Sequence, residues 1–252
     1  MGTAPSRRLA ELAAPVALLG TLALVAPSVG AAGVLAGLGL AVVVHTLLVR
    51  SLARRGLTAL GPADRVTLAR AWLTCGVAAL TVGGPGGGGA TTALLVLAGS
   101  ALALDAVDGQ VARRTGTVSA LGARFDMEVD ALLILVLSVS VARTTGWWVL
   151  AMGMARYAVL AAALVASWLR AGVAARTWRK VVAAIQGVVL TLAAGDLLPV
   201  GWATPALAVA ATLLAVSFLT EVAELWRRRA LASQGRPVRS AHLDGSLTLG
   251  AS

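Results

Sequence analysis

Apolar residues dominate the chain in eight long segments, which short polar or charged stretches separate. The segments cover about residues 13–29, 31–49, 68–83, 91–107, 129–143, 146–168, 181–199 and 203–222. A helix needs roughly 17–25 apolar residues to cross a bilayer, and these segments approach or reach that length. The pattern therefore predicts an all-α protein, a polytopic bundle of transmembrane helices.

The basic residues between these segments fall mostly on one side of the predicted bundle. Alternate loops hold nearly all the basic residues: Arg7, Arg8, Arg50, Arg54, Arg55, Arg65, Arg113, Arg114, Arg124, Arg170, Arg176, Arg179, Lys180, Arg227, Arg228 and Arg229. The other side has Arg143 and the glycine-rich loop 83–89. Because basic loops stay on the cytoplasmic side, we expect a multi-pass protein of the plasma membrane with both termini in the cytoplasm.

Composition agrees with a membrane protein and argues against a nucleic-acid partner. Hydrophobic residues make up 58% of the 252 residues, and only 13% are charged, against about a quarter in soluble domains. The net charge is +10, but it is dispersed between apolar segments and few aromatic residues accompany it. The single cysteine, Cys75, provides neither a disulfide framework nor a thiolate metal site.

Four aspartates stand out in residues 104–132, since acidic residues are scarce elsewhere. Asp105 and Asp108 are three residues apart near the end of one apolar segment, and Asp126 and Asp130 are four apart at the start of the next. Each spacing places both members of a pair on one helix face. Clustered carboxylates repel one another unless cations neutralise them, and their oxygens suit Mg²⁺ or Mn²⁺. Two such ions can in turn hold a diphosphate.

Small residues and an arginine lie between the two aspartate pairs. Gly109, Ala112 and Gly122 fall at offsets that continue the aspartate faces, where a larger side chain would block a flat ligand. Arg113 adds a planar, permanently charged group that suits a phosphate. The combination indicates a site for a flat ligand that carries a diphosphate.

These residues carry a family resemblance. The segment Asp105-x2-Asp108-Gly109-x2-Ala112-Arg113-x8-Gly122-x3-Asp126-x3-Asp130 resembles the signature of the CDP-alcohol phosphotransferases. The resemblance implies that the four aspartates bind two divalent ions and that Asp130 also serves as the base for the acceptor hydroxyl. It further implies that Gly109, Ala112, Arg113 and Gly122 contact the cytidine nucleotide.

The resemblance extends over residues 60–225, which we expect to form a six-helix core. Thr67 and Arg70 match the motif that opens the family's first core helix, which makes Thr67 a nucleotide-binding candidate, whereas Asp64 replaces the motif's asparagine. Residues 1–59 are predicted to add two transmembrane helices; a signal peptide in the first 32 residues is the alternative. Residues 226–252 are expected to form a disordered cytoplasmic tail.

Three basic residues outside the signature are candidates for binding the phosphate of a phosphorylated acceptor; the alternative is that they only balance the charge of the aspartates. Arg156 lies within an apolar segment, where a charge is costly unless it is paired or hydrated. Arg179 and Lys180 lie in a segment that resembles a second family element, in which Lys180 and Gln186 match.

The resemblance thus implies a membrane enzyme that transfers a phosphatidyl group from CDP-diacylglycerol to a polar alcohol or alcohol phosphate and releases CMP. One alternative is a CDP-aminoalcohol phosphotransferase, with diacylglycerol as the acceptor. Others are a membrane prenyltransferase and, from another class, a divalent-cation transporter. The expected partners are the donor, the acceptor, the bilayer and a possible second copy of the chain in a homodimer.

Overall fold

The computed structural model describes residues 5–54, 61–84, 88–115, 120–166, 177–199 and 201–233. These residues form seven α-helices and one short 3-10 helix, Trp147–Val149, and no strand occurs among them. The α-helices are α1 Pro5–Arg54, α2 Pro62–Gly83, α3 Gly88–Thr115, α4 Ala120–Thr145, α5 Leu150–Val165, α6 Thr177–Ala194 and α7 Ala203–Ser233. The predicted all-helical bundle is confirmed.

Within the described ranges, five stretches are long and apolar enough to cross a membrane. They are Val25–Arg54, Asp64–Gly83, Gly88–Asp105, Trp147–Val165 and Ala203–Ala230. Leu35, Leu164 and Leu219 on these stretches are 68–76% exposed. Large apolar side chains that cover the outside of a helix bundle fit a lipid environment, in which the helices satisfy their own backbone hydrogen bonds. The chain is therefore a multi-pass membrane protein.

Helix α1 consists of two arms that fold back on each other at Gly30. Gly30 has φ +60° and ψ −176°, values outside the helical region that glycine adopts without a Cβ penalty. The side chain of Leu22 on the first arm lies against Gly37 on the second. A straight helix would separate these residues by about 22 Å, so the chain must reverse between them. These arms correspond to the two helices predicted ahead of the core.

Helix α2 is the centre of the bundle. Its spanning segment is 72% buried, compared with 17–28% for the other four, because α1, α3 and α4 all pack around it. The second arm of α1 approaches it closely, since a Cβ at Gly33 would stand 2.5 Å from the carbonyl oxygen of Ala79. His45 on that arm stacks on the buried ring of Trp72, with ring centroids 6.5 Å apart.

Helices α2 to α7 provide the six helices expected for the core, around buried side chains such as Val77, Leu137, Leu190 and Leu207. Helix α7 continues to Ser233, so residues 226–233 are helical although we expected them to belong to the disordered tail. Residues 234–252, the rest of that tail, lie outside the described residues.

Candidate active site

Three of the four aspartates meet between α3 and α4. Asp105 comes from α3, and Asp126 and Asp130 lie one turn apart on α4. One carboxylate oxygen from each lies within 4.8 Å of the other two. Their side chains are 43%, 35% and 40% exposed, so each is anchored in the bundle and still open to an incoming ligand.

A buried arginine from the central helix holds these carboxylates together. Arg70 of α2 is 1% exposed, and its Nη1 lies 2.9 Å from Oδ1 of Asp105 and 2.5 Å from Oδ1 of Asp126. Its Nη2 donates to Oδ1 of Asp130, and its Nε donates to the carbonyl oxygen of Ala101, 3.2 Å away. The planar guanidinium can serve all these acceptors because its five N–H groups point in fixed, diverging directions.

The charges of this cluster do not balance. Three carboxylates and one guanidinium leave two negative charges among Asp105, Asp126, Asp130 and Arg70. Adjacent carboxylates that are not neutralised disfavour one another's ionised form. Hard oxygen ligands that are partly exposed fit a divalent cation such as Mg²⁺ or Mn²⁺, which binds through a few carboxylates and leaves positions for substrate phosphates. The described residues therefore fit a divalent metal centre.

The chain was compared with models of known protein families. The CDP-alcohol phosphatidyltransferase family matches residues 60–220, well over half of the chain. The chain belongs to this family. Its members transfer a substituted phosphate group from a CDP-alcohol in lipid synthesis, and they use divalent metals. Comparisons with curated proteins and with solved structures gave no match.

The matched range, residues 60–220, runs from the start of α2 into α7 and includes the three carboxylates. Asp108, Gly109, Ala112 and Arg113 all belong to α3, but their side chains lie outside the described residues. Their roles as metal ligand and nucleotide contacts stay predictions. Gly122 lies in the first turn of α4 and is partly exposed.

The two motif positions at the start of α2, Thr67 and Asp64, have different surroundings. Thr67 is 3% exposed and lies one turn before Arg70, on the same face of the helix. Asp64 has a local partner instead: its Oδ2 accepts a hydrogen bond of 3.1 Å from the backbone N–H of Gly61. That bond satisfies a backbone donor at the N-terminus of α2, so the residue that departs from the family motif stabilises the start of the helix.

Among the described residues, two of the predicted acceptor-binding residues pair with glutamates and not with the three clustered aspartates. Nη2 of Arg156 donates to Oε1 of Glu128 at 2.6 Å, and Nη1 of Arg179 lies 3.2 Å from Oε1 of Glu221. Lys180 is exposed on α6. The pairing with Glu128 explains how Arg156 is accommodated on an apolar helix.

Arg70 is the residue whose role sequence analysis missed. The motif match included it, yet nothing in the spacing of α2 indicates that its side chain bridges two other helices. A signal was present: Arg70 is the only charged residue in the apolar segment 68–83. A charge in such a segment needs a partner, and residues 104–132 hold the largest group of acidic residues in the sequence.

Proposed function

We propose that this protein transfers the phosphatidyl group of CDP-diacylglycerol to a polar alcohol or an alcohol phosphate, with release of CMP. The observation that carries the proposal is the convergence of Asp105, Asp126 and Asp130 around a buried arginine. Asp105 is also the last residue of the spanning stretch Gly88–Asp105. A site at the end of an apolar stretch suits a donor whose acyl chains lie in the bilayer and whose nucleotide lies in water.

The proposed centre holds two divalent ions, Mg²⁺ or Mn²⁺, on Asp105, Asp108, Asp126 and Asp130. When bound, these ions neutralise the diphosphate and stabilise the charge that develops on it. Thr67, Gly109, Ala112, Arg113 and Gly122 would bind the cytidine nucleotide.

The chain's own residues would then orient the acceptor and take its proton. The acceptor oxygen attacks the β-phosphorus of the donor, a new P–O bond forms, and the bond from that phosphorus to the bridging oxygen breaks. CMP leaves with the bridging oxygen, and the hydroxyl proton passes to Asp130. Arg70 binds Oδ1 of Asp130, so Oδ2 is the oxygen we assign to the proton.

The charge distribution supports a cytoplasmic active site in the plasma membrane. A cysteine introduced as Ser119→Cys in a Cys75→Ser background should react with an impermeant thiol reagent only after the cells are opened. The matched variant Thr204→Cys, in the first turn of α7, should react in intact cells. The reverse labelling pattern would place the active site on the outside.

The proposed reaction is tested by supplying purified protein with CDP-diacylglycerol, Mn²⁺ or Mg²⁺, and a panel of polar alcohols and alcohol phosphates, and following CMP release. CMP should appear with at least one acceptor and stop when a chelator is added. Asp105→Asn should abolish release. The matched control Asp196→Asn changes an exposed aspartate in the turn after α6 and should leave release unchanged. CMP formed only from a CDP-aminoalcohol and diacylglycerol would reverse the assignment of donor and acceptor.

A further inference from the structure

A cavity lies between the second arm of α1 and helix α4. It has a volume of about 520 Å³, within the usual range for small-molecule sites, and it is open along one side. Val43 and Leu47 of α1 form one wall, and Phe125 and Leu132 of α4 form the other. We call this cavity the α1–α4 slot. None of the three clustered aspartates lines it.

The slot exists because α1 packs beside the family's core. At its base, Val44 of α1 and Val129 of α4 pack on Ala71 of the central helix. Above this base the two helices leave the slot open, and Val43 and Leu47 are 53% and 58% exposed there. The α1 wall lies outside residues 60–220, which match the family. The slot is thus an addition to the family's core.

One end of the slot is basic. Arg54 at the end of α1 and Arg124 near the start of α4 both line it and are both exposed, and the described contacts give neither an ion pair. Glu128 also lines the slot, but its carboxylate is paired with Arg156 at 2.6 Å. An apolar slot that ends in two arginines is complementary to an acyl chain joined to a negatively charged headgroup.

We propose that the α1–α4 slot binds an anionic bilayer phospholipid, with an acyl chain between α1 and α4 and its phosphate between Arg54 and Arg124. This lipid is distinct from the substrate, because in the proposed reaction the donor's diphosphate binds at the aspartates, whereas Arg54 and Arg124 would bind a separate phosphate. The lipid would fix the second arm of α1 against α4, the helix that carries Asp126 and Asp130.

The test measures lipid binding to the purified full chain by native mass spectrometry, with dioleoyl phosphatidylglycerol and dioleoyl phosphatidylcholine as probes. The wild-type protein should prefer phosphatidylglycerol. The double variant Arg54→Gln with Arg124→Gln should lose about thirty-fold in phosphatidylglycerol affinity, because each basic residue near a membrane surface contributes about a five-fold gain. Arg50→Gln, one turn before Arg54 on the same helix and outside the slot, is the matched control and should bind normally.

A second pair of variants tests the apolar part of the slot. Val43→Trp should fill it and prevent binding, whereas Val42→Trp changes an exposed neighbour outside the slot and should have no effect. Unchanged thermal unfolding of each variant shows that the fold persists. Equal affinity for the two lipids, or equal losses in Arg50→Gln and the double variant, would overturn the proposal. Displacement of phosphatidylglycerol by equimolar CDP-diacylglycerol would also overturn it, since the slot would then belong to the substrate.

Discussion

Replacing Arg70 with methionine should destabilise the metal-free protein, and divalent ions should remove most of that loss. Arg70→Met takes away the guanidinium that bridges the three carboxylates, which leaves one more of their negative charges uncompensated. Breaking a buried ion pair by removing one partner costs about 3–5 kcal/mol. The three carboxylates are 35–43% exposed, so solvent screening reduces the expected loss to about 2 kcal/mol. For a chain of this size, that loss lowers the Tm by roughly 4–8 °C.

The dependence on metal distinguishes this mechanism from a simple packing defect. Bound Mg²⁺ or Mn²⁺ supplies positive charge to the same carboxylates, so the difference in Tm between the variant and the wild type should shrink to about 2 °C or less at saturating metal. The assay is thermal unfolding of both proteins in detergent, once with a chelator and once with Mg²⁺.

Arg143→Met is the matched control, since Arg143 also joins two helices, through a hydrogen bond of 2.5 Å from its Nη1 to the carbonyl oxygen of Thr81. Its loss of stability should be the same with and without Mg²⁺, because no described carboxylate is involved. If the loss of Tm in Arg70→Met is also the same with and without Mg²⁺, the three carboxylates do not form a cation site whose charge Arg70 neutralises.

Three further predictions concern the aspartates and the α1 arm. Asp105→Asn should abolish turnover and weaken Mn²⁺ binding, measured by calorimetry, without changing the Tm. Normal Mn²⁺ binding by Asp105→Asn would contradict the metal assignment, and so would an equal loss of binding in the control Asp196→Asn. Asp130→Asn should lower turnover by about 10²–10⁴-fold, the usual effect of losing a general base, while CDP-diacylglycerol binding changes little; a parallel loss of binding would make Asp130 chiefly a metal ligand. Gly33→Ala should cost about 1–3 kcal/mol of stability, because its Cβ overlaps the backbone of α2. The control Gly39→Ala has no atom within 4 Å of its new Cβ and should be neutral or slightly stabilising; equal effects of the two variants would refute the packing of α1 on α2.

Hydrophobic patterning was sufficient to predict much of the fold. The break between the apolar segments 13–29 and 31–49 coincides with the reversal at Gly30. Helix length and apolar composition are local properties, so they can be inferred from neighbouring residues. The end of α7 was less predictable, since its last two turns are polar and resemble a solvated tail in composition. A helix can continue past its apolar segment because charged side chains such as Arg228 and Glu224 pair along it, at 2.6 Å.

The site was predictable where it depends on spacing within one helix and not where it depends on packing between helices. Residues four apart, such as Asp126 and Asp130, must share a helix face. The family signature related this pair to the aspartates of the preceding helix. The reach of Arg70 across to both helices depends on how α2 is inserted between α3 and α4, which periodicity does not determine. The partner of Arg156 was unpredictable for the same reason, since Glu128 and the aspartates are neighbours on α4 and only the rotation of that helix decides between them.

The fate of the acceptor's oxygen shows directly whether the acceptor attacks the β-phosphorus of the donor. The protein is incubated with CDP-diacylglycerol, Mn²⁺ and an acceptor whose hydroxyl oxygen carries a heavy isotope, and both products are analysed by mass spectrometry. Attack of that oxygen on the β-phosphorus predicts a labelled phospholipid and unlabelled CMP in equal amounts. A label in CMP, or phospholipid formed without the label, would rule out attack of the acceptor on the β-phosphorus.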